Sequence, residues 1–368
     1  MHILITGATG FLGGATAVSL IRAGLHDQLR FLIRADSEQS GLERLKTSLR
    51  RFEVDEADLA QILMSQIIPG DLADVGGFAR DPRLDDITHV CNCAAVASFG
   101  NHPQIWPVNV DGTVAFAKRM AAAPRIKRFL HVGTAMACGP HKEELIEESW
   151  DTPPKEKHLV LYTASKAEAE RQIRETVPQL PFVVARPSIV VGHTTLGCKP
   201  STSIFWVFRM AHDIEQFMCE MDQPIDVIPA DYCAHALHEL LLRDRLSHSL
   251  YHISAGTRGV CNIREIDVAI AKARGIPPVG DRYKKISLNN LPSLLPLFQQ
   301  RLKIENRKLL MKAVMLYGAF SSLHYVFDNR RLLAEGIAAP PRLTDYIGQC
   351  VRTTEDMPLL EQMNDDFK

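Results

Sequence analysis

The sequence has no excess of charge of either sign and no long hydrophobic run. Its 42 basic residues are matched by 43 acidic ones, for a formal net charge of −1, so no overall field favours nucleic acid or an anionic membrane surface. The longest apolar stretch near the C-terminus, Ala313–Phe320, is far shorter than the ~20 residues of a membrane-spanning helix. We therefore expect no nucleic-acid partner and no transmembrane span, and at most weak peripheral contact with a membrane.

The sequence also lacks cysteine pairs spaced for a zinc site. Its 8 cysteines are scattered, and Cys91 and Cys93, two residues apart, have no partner cluster. We predict reduced thiols and no metal site. A strand pattern starts almost at Met1 and leaves no room for a signal peptide. These features predict a cytoplasmic protein.

Short apolar runs alternate with longer helical patterns over the first two-thirds of the chain, which is typical of βαβ units and a parallel sheet. The predicted strands are His2–Thr6, Arg30–Ile33, Gln66–Ile68, His89–Asn92, Arg128–Val132 and Phe182–Ala185. The predicted helices are Gly13–Ala23, Gly41–Arg50, Asn109–Ala122 and Thr163–Thr176. The fold class predicted is α/β, a Rossmann-type doubly wound parallel sheet with its ligands outside the carboxyl ends of the strands.

The pattern changes after Val191. We expect an NADP(H)-binding Rossmann domain over residues 1–191, to which 225–258 returns, and a smaller, mostly helical substrate-binding region over 192–224 and 259–368. Three segments are predicted beyond Val191: a helix at Ile204–Phe217, a strand at Ile225–Ile228 and a helical segment at Ser287–Phe327. The last would either form an apolar wall for an acyl chain or fill the core.

A glycine-rich loop follows the first predicted strand and opens a helix. Glycines in such a loop allow positive φ and let the backbone approach a pyrophosphate, which the helix N-terminus attracts. The loop predicts a dinucleotide site. Its candidate residues are Gly7, Thr9, Gly10, Phe11, Leu12 and Gly13.

The residue after the second strand of a Rossmann fold contacts the adenosine ribose. Here it is Arg34, and an arginine favours a 2′-phosphate, which predicts NADPH although Asp36 follows two residues later. Arg44 would either reach the same phosphate or remain on a solvated helix face. Residues after the third and fourth strands extend the predicted cofactor site: Asp71, Leu72, Ala94 and Ala95.

Tyr162 and Lys166 stand four residues apart at the start of a predicted helix, on one face. A cation beside the phenol lowers its pKa, which suits proton transfer to a carbonyl oxygen. Lys166 would also hold the nicotinamide ribose. Thr134 follows the fifth strand and would bind a substrate oxyanion or cap a turn. Asn109 is either catalytic or the N-cap of its helix.

In this order the motifs resemble the extended short-chain dehydrogenase/reductase superfamily over most of the first 260 residues. Four segments are most similar to the branch of fatty acyl-CoA reductases and thioester reductases: Phe31–Ala35, Arg186–Gly192, Asp226–Tyr232 and Phe327–Leu332.

The resemblance implies that Thr134, Tyr162 and Lys166 form a catalytic triad. It also implies that Pro187 and Ser188 pass beneath the nicotinamide carboxamide. Two departures stand out: Gly133 occupies a position where the family usually has serine, and no acidic pair follows the threonine as it does in sugar-nucleotide dehydratases.

The leading expectation is therefore an NADPH-dependent reductase that transfers hydride to an acyl thioester, presented by coenzyme A or a carrier protein. The product would be an aldehyde, and an alcohol if a second hydride follows. The alternative is an NADP-dependent alcohol or ketone dehydrogenase acting on a sterol-like or polyketide substrate. A sugar-nucleotide epimerase and an NADP(H)-sensing protein without turnover fit the motifs less well.

Overall fold

The computed structural model describes residues 1–141, 143–287, 289–290, 296–297 and 307–366. Its strands are β1 (Ile3–Thr6), β2 (Leu29–Ile33), β3 (Ile67–Pro69), β4 (His89–Asn92), β5 (Arg128–Val132), β6 (Leu145–Ile146), β7 (Phe182–Pro187), β8 (Ile189–Val190), β9 (Gln216–Phe217), β10 (Pro224–Ile225), β11 (Val227–Ile228), β12 (Leu250–Ile253), β13 (Cys261–Asn262), β14 (Lys284–Lys285) and β15 (Val326–Phe327). Its α-helices are α1 (Phe11–Arg22), α2 (Glu38–Arg50), α3 (Glu56–Ala60), α4 (Thr113–Ala121), α5 (Leu161–Thr176), α6 (Phe205–Ile214), α7 (Ala230–Leu242), α8 (Gly256–Gly259), α9 (Ile263–Arg274), α10 (Arg307–Ser321), α11 (Arg330–Ala334), α12 (Leu343–Thr354) and α13 (Leu359–Asp366).

Seven strands form one sheet in the order β3-β2-β1-β4-β5-β7-β12, and every neighbouring pair is parallel. The direction of winding reverses between β1 and β4, the place where ligands bind in such sheets. The predicted fold class is confirmed. The six strands predicted over the first two-thirds of the chain are all present within two residues of their predicted ends, and β7 runs through Pro187.

Helices cover both faces of the sheet. On one face α1, α2 and α7 contribute buried residues such as Leu20, Leu45 and Leu237 to one apolar cluster. On the other, Phe116 of α4 and Ile173 of α5 pack in a second. Burial on both faces explains why the central strands are continuous apolar runs without alternation.

The predicted strand at Ile225–Ile228 is two separate strands, β10 and β11. They separate at Asp226, whose buried carboxylate accepts hydrogen bonds from the backbone N–H groups of Ala255 (2.7 Å) and Phe327 (3.0 Å). Nearby, β12 adds the seventh strand beside β7. A polar residue in an apolar run therefore divides the strand and ties it to two distant segments.

The remaining helices pack into a second apolar region. Trp206 of α6, Val314 of α10 and Met363 of α13 share one buried cluster. The segment predicted as helical at Ser287–Phe327 contains α10 but ends in β15, and its residues 288, 291–295 and 298–306 lie outside the described residues. Within the described ranges, no helix is both long enough and apolar enough to cross a membrane.

Candidate active site

The glycine loop between β1 and α1 is folded too tightly for a side chain at Gly7 or Gly13. Gly7 has φ +70°, and a Cβ there would lie 2.7 Å from the backbone nitrogen of Ala94. A Cβ on Gly13 would lie 2.2 Å from the carbonyl oxygen of Gly7. Gly10 donates its N–H to the same carbonyl at 2.9 Å and begins α1 without a side-chain cap. The loop therefore presents bare backbone and a helix N-terminus, which fit a pyrophosphate.

The other loop residues predicted for the cofactor stand beside this backbone. Thr9, Phe11 and Leu12 are half-buried at the start of α1, and Ala94 and Ala95 are half-buried after β4. The two loops are fixed to each other because the Thr6 hydroxyl accepts the N–H of Ala94 at 3.0 Å and donates to Asn92 at 2.6 Å.

Two arginines meet at the end of β2. Arg34 is exposed, and Arg44 of α2 donates to the Arg34 carbonyl at 2.6 Å. After β3, the Asp71 carboxylate accepts the N–H of Ala73 at 2.9 Å, and Leu72 is buried. The structure therefore places Arg34, the Arg44 guanidinium and these two residues along neighbouring strand ends, in the order that the sequence predicts.

Tyr162 and Lys166 lie in the first turns of α5. Burial lowers the pKa of Lys166 to about 8, against an opposing effect of the Glu170 carboxylate. Desolvation raises the pKa of Tyr162 to about 12, so the lowering expected from the sequence is wrong for the chain without its cofactor. The cause is that the phenol loses water, which penalises its charged form. At neutral pH Tyr162 is thus protonated, and the pKa of Lys166 lies only about one unit above the pH.

Thr134 stands at the end of β5 and begins the short 3₁₀ turn Ala135–Cys138. Its hydroxyl oxygen accepts the N–H of Met136 at 3.3 Å. This leaves the hydroxyl proton for a substrate, so turn-capping and oxyanion binding are compatible roles for one side chain.

Asn109 does not cap its helix. It is buried in a π-helical turn, Pro107–Gly112, that precedes α4. Its side chain accepts the N–H of Val96 (2.7 Å) and donates to the Val96 carbonyl (3.2 Å) and to the Ser165 hydroxyl (3.0 Å). Ser165 in turn donates to the Tyr162 carbonyl at 2.7 Å. Asn109 therefore links the loop after β4 to the turn that carries the tyrosine.

Pro187 and Ser188 lie where β7 ends, with Ser188 N–H bonded to the carbonyl of Ile253 at 2.9 Å. Both are buried. They therefore continue the row of strand ends that begins with the glycine loop.

An apolar cavity adjoins these strand ends. It is lined by Met136, two residues after Thr134, and by Ile189, one residue after Ser188. Tyr317 and Phe320 of α10 form another wall, and their rings contact Phe99, whose ring centroid lies 6.0 Å from that of Tyr162. A second, open groove beside Tyr162 is lined by residues 99–101, 155, 156 and 158–161 and by Leu316 of α10.

Sequence reasoning missed Phe99 and the buried pair Glu170–Arg186. Phe99 is an aromatic residue in the loop after β4, and its position after a sheet strand could have indicated a place in the site. Glu170 stands four residues after Lys166 on the same helix face, and Arg186 is a single cation in an apolar strand. Two opposite charges in buried positions indicate pairing, because an isolated buried charge is costly.

The family model described as male sterility protein matches residues 5–237 of the chain. Among curated proteins, the non-canonical nonribosomal peptide synthetase hkm10 of Aspergillus hancockii is 25% identical over 70% of this chain and 26% of its own length. The fatty acyl-CoA reductase wat of Drosophila melanogaster is 25% identical over 64% of this chain and 53% of its own length. The chain thus spans about a quarter to a half of these two relatives.

Among solved structures, the terminal R domain of the myxalamid PKS-NRPS pathway superposes with a TM-score of 0.75 at 22% identity, covering 96% of this chain and 90% of that one. A thiolation-reductase di-domain from an archaeal non-ribosomal peptide synthetase gives a TM-score of 0.69 at 18% identity, covering 96% of this chain and 75% of that one. At these identities the likeness shows a shared fold.

Proposed function

The chain belongs to the male sterility protein family, within the extended short-chain dehydrogenase/reductases, and we propose that it reduces an acyl thioester to an aldehyde with NADPH. The observation that carries the proposal is an apolar cavity lined by Met136, two residues after Thr134, and by Phe320, whose ring stacks on Phe99 beside Tyr162. A thioester carbonyl held between the two hydroxyl groups would extend its acyl chain into that cavity.

NADPH is the proposed cofactor because Arg34 and Arg44 share the strand end where the 2′-phosphate of a Rossmann-bound dinucleotide lies. When bound, it supplies the hydride. The glycine loop would hold its pyrophosphate, and the other proposed contacts are Thr9, Phe11, Leu12, Asp71, Leu72, Ala94, Ala95, Lys166, Pro187 and Ser188.

The chain's own residues provide the proton and hold the oxyanion. With a pKa of about 12, Tyr162 is protonated at neutral pH and donates to the carbonyl oxygen as negative charge develops there. Thr134 donates a second hydrogen bond to the same oxygen. Lys166, protonated below about pH 8, stabilises the phenolate left behind. Collapse of the resulting hemithioacetal breaks the C–S bond and releases thiol and aldehyde.

The thioester arm would enter through the groove beside Tyr162. This groove contains Lys155, whose ammonium lies 4.2 Å from the ring centroid of Trp106, and it is open to solvent. An open groove beside the acid, lined by other residues than the apolar cavity, suits a substrate whose carrier stays outside. We propose coenzyme A or a carrier protein as that carrier, in line with the thiolation-reductase structure.

The test is to supply NADPH with octanoyl-CoA and to measure NADPH consumption and free thiol together. We expect thiol release, and a ratio of one or two NADPH per thiol tells an aldehyde product from an alcohol. Replacing Tyr162 by Phe should lower kcat at least roughly 100-fold with the Kd for NADPH nearly unchanged. NADPH consumption with simple ketones but not with the thioester would favour the alcohol or ketone dehydrogenase.

Tyr346→Phe is the matched control, since Tyr346 is a buried tyrosine of α12 that does not line the cavity or the groove. It should retain wild-type turnover. Full activity in Y162F would refute the role of Tyr162.

A further inference from the structure

The apolar cavity contains one polar corner. His212 of α6 and Asp267 of α9 line it among aliphatic and aromatic side chains, and their side chains are only 6% and 7% exposed. Other polar groups in the wall are already bonded: the Gln223 amide and the Tyr283 hydroxyl each donate to a backbone carbonyl. Among the described residues of the wall, His212 Nε2 is the one buried side-chain nitrogen or oxygen without a hydrogen-bond partner.

Two side chains approach Nδ1 of His212: the Arg274 guanidinium at 3.2 Å and the Asp213 carboxylate at 3.8 Å, which is itself paired with Arg274. The guanidinium is closer and only donates, so Nδ1 accepts and the proton of the neutral ring is on Nε2. Nε2 has no aligned partner among the described residues. Oδ1 of Asp267 is 3.4 Å away but out of line, and the two carboxylate oxygens accept the N–H groups of Val279 and Gly280, each at 2.9 Å.

A buried donor without an acceptor is unfavourable, and ligands that supply the missing partner remove the cost. Here an N–H donor and a carboxylate acceptor lie side by side. A hydroxyl group satisfies both, because it accepts from His212 Nε2 and donates to Asp267, whereas a methyl group satisfies neither.

We propose that the cavity selects an acyl group that carries a hydroxyl at its far end, bound between His212 and Asp267. The inference rests on the proposed function, since it takes the acyl chain to occupy this cavity. The cavity volume is about 100 Å³. Because one water-sized group needs roughly 10–15 Å³, on the order of seven to ten non-hydrogen atoms fit. The substrate class is therefore a medium-length hydroxyacyl thioester.

The test compares hexanoyl-, octanoyl-, decanoyl- and dodecanoyl-CoA with their ω-hydroxy counterparts, using the full chain and NADPH. We expect kcat/KM to favour the hydroxylated form by roughly tenfold at one or more lengths. His212→Leu should abolish that preference, so that within this variant kcat/KM is equal for the hydroxylated and the plain acyl-CoA. His238→Leu is the matched control, because His238 is a half-buried histidine bonded to Ser19 outside the cavity, and it should keep the preference.

The inference is overturned if no hydroxylated form is preferred by the wild type, or if the preference survives in H212L. Should H212L not fold, Asp267→Asn tests the same corner, since its amide keeps one oxygen for the backbone but loses the charged acceptor, and it should lower the preference.

Binding of the same thioesters without NADPH, measured by calorimetry, separates this inference from the proposed reaction. If hydroxyacyl-CoA binds tighter and loses that advantage in H212L, yet neither thioester is reduced, the reaction is wrong and the hydroxyl site stands. If both forms bind equally well and are reduced equally fast, the proposed reaction stands and the hydroxyl site is wrong.

Discussion

Glu170 and Arg186 form an ion pair at 2.6 Å with both side chains only 2% exposed. The guanidinium also donates to the carbonyl of Ser149 at 2.8 Å and lies near the Trp150 ring. The pair fills the space beside Gly133, where a Cβ would lie 2.3 Å from Glu170 Oε1. The glycine that departs from the family's usual serine is thus explained by the position of this carboxylate.

Gly133→Ser should therefore destabilise the fold. The new Cβ must displace a buried, paired carboxylate, and we expect a loss of about 2–3 kcal/mol in the free energy of unfolding, measured by urea denaturation. Gly348→Ala is the matched control, because that glycine lies within α12 and its nearest neighbour would be 3.6 Å away. Equal stability of G133S and wild type would contradict the packing described.

Lys166→Met should stabilise the chain in the absence of cofactor at pH 7. The pKa of Lys166 falls from 10.5 to about 8 on folding, so the unfolded chain binds the proton more tightly. The cost is full below pH 8, declines as the pH rises to 10.5 and is absent above it. We expect K166M to be about 3 kcal/mol more stable at pH 7, and the difference to disappear above pH 10.5, by urea unfolding at each pH.

Lys118→Met removes an exposed lysine of α4 and should change stability at neither pH. A stability difference for K166M that is the same at pH 7 and above pH 10.5 would show that packing, rather than the proton, is its cause. Turnover of K166M should fall below that of the wild type at pH 7, where Lys166 is protonated and supplies the cation proposed to assist Tyr162.

Asn109→Ala should loosen the turn that carries Tyr162. It leaves two Val96 backbone groups and the Ser165 hydroxyl without their partner, and we expect a loss of about 2–3 kcal/mol in unfolding free energy. Asn101→Ala, at an exposed position of the same loop between β4 and α4, should leave the free energy of unfolding unchanged. If Asn109 only positions Tyr162, the turnover of folded N109A should be lowered far less than that of Y162F.

Arg34→Ala should weaken NADPH without weakening NADH. A charge-assisted bond to the 2′-phosphate is absent with NADH, so we expect KM for NADPH to rise roughly tenfold or more, with KM for NADH nearly constant. Arg125→Ala removes an arginine that is also exposed, paired with Asp86 in the loop before β5, and is the control. An unchanged ratio of the two KM values would contradict the proposed phosphate contact.

The sheet could be predicted from the sequence because its strands are buried on both faces and appear as apolar runs between helical patterns. The glycine loop could be predicted for a similar local reason, since positions with positive φ or close backbone contact require glycine, which is visible in the sequence. Tyr162 and Lys166 share a helix face, and their spacing alone places them together.

Other features depend on contacts between distant segments. Asp226 divides a predicted strand because its partners are Ala255 and Phe327, which no local pattern indicates. The pKa of Tyr162 moves in the direction opposite to that expected from the sequence because spacing reveals a neighbouring cation but not the loss of water around a phenol. The polar corner at His212 likewise joins two helices that are far apart in the chain.

The pairing of β15 with β6 bears on the order in which the protein is assembled during synthesis. Leu145 and Ile146 lie in the segment between Thr134 and Tyr162, and they pair with Val326 and Phe327. A ribosome makes the chain from its N-terminus, so this segment gains its strand partner only after residue 327 has emerged. The glycine loop, by contrast, packs within the first hundred residues. A nascent chain can therefore form its glycine loop well before the segment between Thr134 and Tyr162 is complete.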